Sequence, residues 1–144
     1  MNVRARASRI KFPFAAPRRT VRAVLAEPHP DTRVQLGALL SQFPEVEVSG
    51  MSATLREALE QISALSPELV LLDWHLLPSP AVWRALALPP HTLIVTAQDR
   101  LHAAHAYELG ATDYLLKPFD AAQLEAAVAR ALAPRVLLAS HARN

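Results

Sequence analysis

The stretch Asp113-Tyr114-Leu115-Leu116-Lys117-Pro118-Phe119 places a lysine at the end of an apolar run, with a proline directly after it. Proline has no backbone N–H and restricts the residue before it, so we expect Lys117 to be held in an extended conformation. Two earlier apolar runs also end in polar residues, one in Asp73 and the other in Thr96. Because ligands of open parallel α/β sheets bind at the carboxyl ends of the strands, these three side chains are expected to meet at one edge.

Five short apolar segments alternate with helical patterns along the chain. Strands are predicted at residues 21–26, 46–48, 68–73, 92–96 and 113–116. Helices are predicted at residues 30–42, from the capping-box pair Thr54 and Glu57 onward, after a Ser79-Pro80 cap, at 99–109 and at 120–132, where Pro134 ends the last helix. This alternation predicts an α/β fold, a doubly wound five-stranded parallel sheet in three layers with helices on both faces.

The strand order expected for such a fold is 2-1-3-4-5, with the switch point between the first and third strands. The carboxyl ends of those two strands then lie side by side. Glu27 follows the first strand and Asp73 ends the third. We therefore expect two carboxylates at the ligand-binding edge of the sheet.

Length and composition restrict the class of protein. With 144 residues, 51% of them hydrophobic and 19% charged, the chain has the size and composition of one folded domain. It contains no cysteine, which excludes disulfides, thiolate metal sites and cysteine nucleophiles. No uninterrupted apolar run reaches the roughly 18 residues that a membrane helix needs, so no membrane span is expected.

The excess of basic residues is confined to the ends of the chain. Residues 1–20 hold six basic and no acidic residues, residues 21–133 hold seven basic and thirteen acidic, and residues 134–144 add two basic. The predicted domain, residues 21–133, is therefore acidic. We interpret residues 1–20 as a disordered leader or an extension upstream of the true start, with a weak nucleic-acid- or membrane-surface-binding arm as the alternative. Residues 134–144 are interpreted as a short C-terminal tail.

Four segments surround the expected site: Glu27-Pro28-His29-Pro30-Asp31-Thr32-Arg33, Leu71-Leu72-Asp73, Val95-Thr96-Ala97 and the stretch from Leu109 to Phe119. In this order and spacing they resemble the segments of a response-regulator receiver domain of two-component signalling. The resemblance extends over roughly residues 20–133. It implies a CheY-like fold, a role in phosphorelay signal transduction and a cytoplasmic location. It also implies a signalling domain and not an enzyme, since such a domain catalyses at most its own phosphoryl transfer and dephosphorylation.

The resemblance implies a role for each matching residue. Asp73 corresponds to the phosphoryl acceptor, Thr96 to the hydroxyl that bonds the phosphoryl group, and Lys117 to the cation that pairs with it. Tyr114 corresponds to the aromatic residue that turns inward in the switched state, and the Lys117-Pro118 peptide bond is expected to be cis. These residue types suit the chemistry, because an aspartyl phosphate needs a carboxylate nucleophile and the phosphoryl oxygens need neighbouring cations.

Two features differ from the usual receiver pattern. Receivers usually carry two adjacent acids after the first strand, but here Pro28 follows Glu27, and proline has no side-chain oxygen for a metal. The loop after Asp73 contains Leu77-Pro78-Ser79-Pro80 and no glycine. We therefore expect Mg²⁺ to bind weakly or not at all, with Glu27, Asp73 and the backbone carbonyl of His75 as its ligands.

Two histidines, His29 and His75, flank the expected site. As imidazole ligands they would compensate for the lost acid. They would also shift the preference of the site toward softer metals, which is a less favoured alternative to a weak Mg²⁺ site.

Two functions remain open. A working receiver accepts a phosphoryl group on Asp73 from a histidine kinase or phosphotransfer protein. Its switching face is formed by the predicted helix 99–109, strand 113–116 and helix 120–132, which is also a candidate homodimer face. A pseudo-receiver has the same fold and binds partners without phosphorylation.

Other classes of protein fit the sequence less well. A flavodoxin-like nucleotide binder is disfavoured because the three glycines of the chain form no phosphate-binding loop. The segment after residue 133 is too short for a DNA-binding output module, so we expect either a stand-alone receiver or a fragment of a longer regulator.

Overall fold

The computed structural model describes residues 20–143 and contains one five-stranded sheet in which all neighbouring strands are parallel. The strands are β1 (Val21–Ala26), β2 (Val46–Ser52), β3 (Leu69–Asp73), β4 (Thr92–Ala97) and β5 (Ala111–Leu116). Their order is β2-β1-β3-β4-β5. The predicted doubly wound fold and its strand order are therefore confirmed.

Five α-helices connect the strands or follow the last one. They are α1 (Pro30–Leu40), α2 (Leu55–Leu65), α3 (Pro80–Ala85), α4 (Ala103–Glu108) and α5 (Ala121–Arg143), and a 3₁₀ turn covers Trp74–Leu76. Side-chain oxygens cap three of these helices, and the caps before α2 and α3 are as predicted. Before α5, the Asp120 carboxylate accepts from the N–H of Gln123. The Thr54 hydroxyl accepts from the N–H of Glu57 before α2, and the Ser79 hydroxyl accepts from the N–H of Val82 at the start of α3.

Successive side chains of the strands point to opposite faces of the sheet and pack into two separate hydrophobic cores, one on each face. On one face, Leu25 and Leu71 pack with side chains of α1 and α5. On the other face, Val24 and Val70 pack with side chains of α2, α3 and α4. β3 is buried along its whole length, as expected for a central strand of a parallel sheet covered on both sides.

Several element boundaries differ from the prediction, and β2 and α4 are two clear cases. β2 continues to Ser52 although Ser49 and Gly50 are poor strand formers, because pairing with β1 over six registered positions overrides local propensity. α4 begins only at Ala103, because the Asp99 carboxylate accepts from the N–H of Leu101 and forms a local turn instead of a helix cap.

The last helix does not end before Pro134 as predicted, because α5 runs to Arg143. A proline removes one helical hydrogen bond and crowds the preceding turn. The segment on either side is rich in alanine and leucine, which favour helix, and their preference prevails here.

Some expectations fall outside the described part of the chain. The predicted leader, residues 1–20, lies outside it except for Thr20. Within the described residues, no helix has both the length and the hydrophobicity required to cross a membrane.

Candidate functional site

Lys117, which follows β5 directly, lies at the centre of a group of charged side chains. Its ammonium donates to Glu27 Oε1 at 2.5 Å and also to Asp73 Oδ1. The backbone N–H of Lys117 donates to the carbonyl of Ala97 at 2.7 Å, and the Lys117–Pro118 peptide bond is cis, as the resemblance implied. We call Glu27, Asp73 and Lys117 the ion cluster.

The register of the sheet accounts for this meeting of distant residues. Ala26 pairs with Leu72 across β1 and β3, so Glu27 and Asp73 are the next residues of two adjacent strands. Asp73 in turn pairs with Thr96 on β4. Glu27, Asp73 and Thr96 are all buried, which agrees with the prediction that the strand ends converge at one edge.

Each carboxylate of the ion cluster is also bonded to a histidine two residues later. Glu27 Oε2 accepts from the backbone N–H of His29 at 3.0 Å and lies 3.1 Å from His29 Nδ1. Asp73 Oδ2 accepts from the backbone N–H of His75 at 3.0 Å and lies 2.7 Å from His75 Nδ1. The inner oxygen of each acid therefore faces Lys117, and the outer oxygen faces a histidine.

The ion cluster shifts the pKa values of two of its members. Burial alone raises the pKa of Asp73, but hydrogen bonds from Lys117 and His75 prevail and hold it below its ordinary value of 3.8. Burial alone lowers the pKa of Lys117, but hydrogen bonds to Asp73 and Glu27 prevail and raise it above 10.5. Both groups are therefore charged at neutral pH.

Tyr114 lies on β5, three residues before Lys117, and is bonded to the loop that precedes α4. Its hydroxyl donates to the backbone carbonyl of Asp99 at 2.7 Å. Burial is the main cause that raises the pKa of the Tyr114 phenol. Tyr114 thus links β5 to the segment that joins β4 to α4.

The arrangement does not fit a resident Mg²⁺ ion, which receiver domains commonly bind at the acceptor aspartate. Mg²⁺ requires octahedral oxygen ligands. Here the inner oxygens of both acids accept from Lys117, the outer oxygens each accept two bonds from a histidine, and Pro28 adds no side-chain oxygen. Within residues 20–143, no group of three or more histidine or acidic residues is arranged to hold a metal ion.

Sequence reasoning did not identify His29 and His75 as hydrogen-bond partners of the two acids. The same spacing occurs in Glu27-Pro28-His29 and in Asp73-Trp74-His75, and this repetition was the signal that would have revealed the pairing. It also did not identify the contact between Trp74 and His102, whose rings stack with centroids 3.6 Å apart and an angle of 11°.

Comparison with known protein families gives a match over most of the described domain. The family model for the response regulator receiver domain matches residues 23–129. An uncharacterized response regulatory protein of Vibrio cholerae is 34% identical over 114 residues, which are 76% of this chain and 48% of that protein. The chain thus spans about half the length of this curated relative.

Solved structures with the same fold are also receiver domains. The receiver domain of the response regulator NarL of Mycobacterium tuberculosis superimposes with a TM-score of 0.67 and 28% identity, over 76% of this chain and 94% of that chain. A chain from the complex of the P1 domain of CheA3 with CheY6 of R. sphaeroides gives a TM-score of 0.70, over 80% of this chain and 98% of that one. Its 20% identity supports the fold alone.

Proposed function

This chain belongs to the response regulator receiver family of two-component systems, and we propose that it accepts a phosphoryl group on Asp73 from a histidine kinase or a phosphotransfer protein. One observation carries this proposal. Asp73, Thr96 and Lys117 converge at the carboxyl edge of the sheet, with Lys117 bonded to Asp73 and Thr96 as its register partner.

The residues of the site match the steps of the reaction. An Asp73 carboxylate oxygen attacks the phosphorus of a phosphohistidine, the O–P bond forms as the P–N bond breaks, and the departing imidazole takes a proton from water. Lys117 supplies positive charge where the phosphoryl oxygens collect negative charge. Thr96 supplies a hydroxyl that bonds the new phosphoryl group. Mg²⁺ contributes little, because the carboxylate oxygens that would bind it already have hydrogen-bond partners within the domain.

The signal leaves the site through the segment between β4 and β5. When Thr96 moves toward the phosphoryl group, the loop after β4 moves with it, and Tyr114 exchanges its bond to Asp99 for a new position. The face formed by α4, β5 and α5 then changes its binding to a partner, which includes a second copy of the chain as a candidate. In this role the domain is a cytoplasmic signalling module that catalyses at most its own phosphorylation and dephosphorylation.

The test is the intact mass of the protein after incubation with a small-molecule phosphodonor and, separately, with a phosphorylated phosphotransfer domain. We expect the wild type to gain one phosphoryl group and Asp73→Asn to gain none. Asp113→Asn is the matched control, since Asp113 is an acid on β5 that pairs with Arg130 away from the site. Incorporation that is equal in wild type and Asp73→Asn contradicts the proposal.

A second candidate function is a pseudo-receiver that binds partners without phosphorylation. The specific observation in its favour is that all four oxygens of Glu27 and Asp73 already have partners within the domain. Such a protein gains no phosphoryl group from either donor while its fold is intact, and its partner binds wild type and Asp73→Asn equally. The mass experiment therefore separates the two candidates.

A further inference from the structure

The two acid–x–histidine turns are structural copies of one another. Ala26 and Leu72 are register partners on adjacent parallel strands, so the turn of Glu27 and His29 and the turn of Asp73 and His75 leave the sheet side by side. In both turns the outer carboxylate oxygen receives the backbone N–H and faces Nδ1 of the histidine.

The hydrogen bonds assign the proton of each imidazole. An ionised carboxylate only accepts hydrogen bonds, so Nδ1 of each histidine carries the proton and donates it. In the neutral ring this leaves Nε2 with a free lone pair. Neither Nε2 has a hydrogen-bond partner among the described residues, and both side chains are open to solvent, at 62% exposure for His29 and 43% for His75.

A histidine that donates one ring N–H to a buried carboxylate is the arrangement found in metal sites, because the acid fixes the tautomer and raises the basicity of the other nitrogen. Here two such pairs lie together, and both acids are fully buried. The ring centroids of His29 and His75 are 6.3 Å apart. That separation is close to the one at which two imidazoles bind one ion about 2 Å from each ligating nitrogen. Both side chains are exposed, so they have room to turn toward a shared ion.

We propose that His29 and His75 bind one divalent ion of borderline softness, such as Zn²⁺ or Cu²⁺, through their Nε2 atoms, with Glu27 and Asp73 as the carboxylates behind them. The protein supplies two ligands, and water completes the coordination. Imidazole nitrogen favours these metals over Mg²⁺, which prefers oxygen. The ion joins the turn after β1 to the turn after β3 at the carboxyl edge of the sheet, and its binding does not require a phosphoryl group on Asp73.

The experiment is calorimetric titration of the untagged full chain with Zn²⁺, together with electron paramagnetic resonance of the Cu²⁺ form. We expect one ion per chain and a Cu²⁺ spectrum with two nitrogen ligands. His29→Gln and His75→Gln each reduce affinity at least tenfold and leave one nitrogen. Asp73→Asn, which keeps His75 but removes the charge behind it, reduces affinity by about 10- to 100-fold.

The matched control is His91→Gln, because His91 precedes β4 at the opposite end of the sheet and its Nδ1 faces the Pro89 carbonyl. It is expected to bind Zn²⁺ like the wild type. Circular dichroism of each variant verifies that the fold is retained, and His29→Ala and His75→Ala serve if a glutamine variant does not fold. The proposal is overturned if the wild type shows no binding, or if the double His29→Gln/His75→Gln variant binds as tightly as the wild type.

Discussion

The ion cluster lies at the carboxyl edge of the sheet, where the segment of residues 98–110 begins, and the two regions are held in different ways. The acids of the cluster are fully buried, and every oxygen has a partner. In the segment, Leu101 is 82% exposed and Tyr107 50% exposed, and α4 has only six residues. Two of its residues, Ala106 and Leu109, are buried in the core. The rest is attached by individual contacts such as the bond from Tyr114 to Asp99 and the stacking of His102 on Trp74.

This difference suits a switch, because a site must be fixed while its neighbour changes position. Regions with few buried contacts open at low free-energy cost, and elements that move in regulation belong to such regions. Mutations in the ion cluster should therefore cost much stability, and mutations in the segment 98–110 should cost little. The following predictions test that contrast from the largest effect to the smallest.

The largest effect is expected for Lys117→Met, which leaves two buried carboxylates side by side without their shared cation. Removing one partner of a buried ion pair costs about 3–5 kcal/mol of the free energy of unfolding. Urea unfolding measures it. Arg56→Met is the control, because Arg56 pairs with Glu60 on the exposed face of α2 and should show no measurable change. An equal loss of unfolding free energy in Lys117→Met and Arg56→Met would contradict the large stabilising role of the ion cluster.

The second prediction concerns the dependence of stability on pH. The folded-state pKa of Asp73 is lowered, so its ionisation stabilises the folded protein. This contribution to the free energy of unfolding is complete above the unfolded pKa, about 3.9, and is lost as pH falls through the folded-state pKa. The folded-state pKa of Lys117 is raised, so its contribution is complete below the unfolded pKa, about 10.4, and is lost as pH rises through the folded value.

Melting temperature measured against pH should therefore show a plateau with a fall at each end. Asp73→Asn should make the acid fall shallower. Asp31→Asn, which removes an exposed acid from α1, should leave that fall as in the wild type. An unchanged acid fall in Asp73→Asn would show that the ion cluster does not set the acid stability.

The third prediction is a smaller loss for Gly110→Ala in the segment after α4. Gly110 has φ +100°, a conformation that side chains disfavour, yet an added Cβ would meet no atom within 4 Å. Only backbone strain opposes the substitution, at about 1–2 kcal/mol. Gly37→Ala is a useful comparison, because its φ is ordinary but its Cβ would lie 3.0 Å from Met51 Sδ. A loss at Gly110 as large as that of Lys117→Met would contradict the proposed contrast.

The smallest effect is expected for Tyr114→Phe, which removes the bond to Asp99 and keeps the ring. The bond is exposed, so the loss should be about 0.5 kcal/mol, at the low end for a hydrogen bond. Hydrogen exchange of residues 98–102 should nevertheless increase, because their tie to β5 is gone. Tyr107→Phe on α4 provides the control, and equal exchange in both variants would show that Tyr114 does not hold this loop.

The fold was predictable because its information is local in the sequence. Apolar runs such as residues 69–72 have the length and composition of buried parallel strands, and right-handed connections leave few topologies for five of them. The boundaries of β2 and α4 were less accessible. Pairing with β1 extends the first, and the local turn at Asp99 shortens the second.

By itself, the sequence determined which polar residues end the strands, and so determined that Asp73, Thr96 and Lys117 share one edge. Only the tertiary structure decided which hydrogen-bond partners these side chains have. The shared register of β1 and β3 places two acid–x–histidine turns side by side. Both carboxylates are buried, so their hydrogen bonds are made to groups of the domain itself. Hydrogen-bond partners depend on distances between residues far apart in the chain, and those distances arise only when the sheet is assembled.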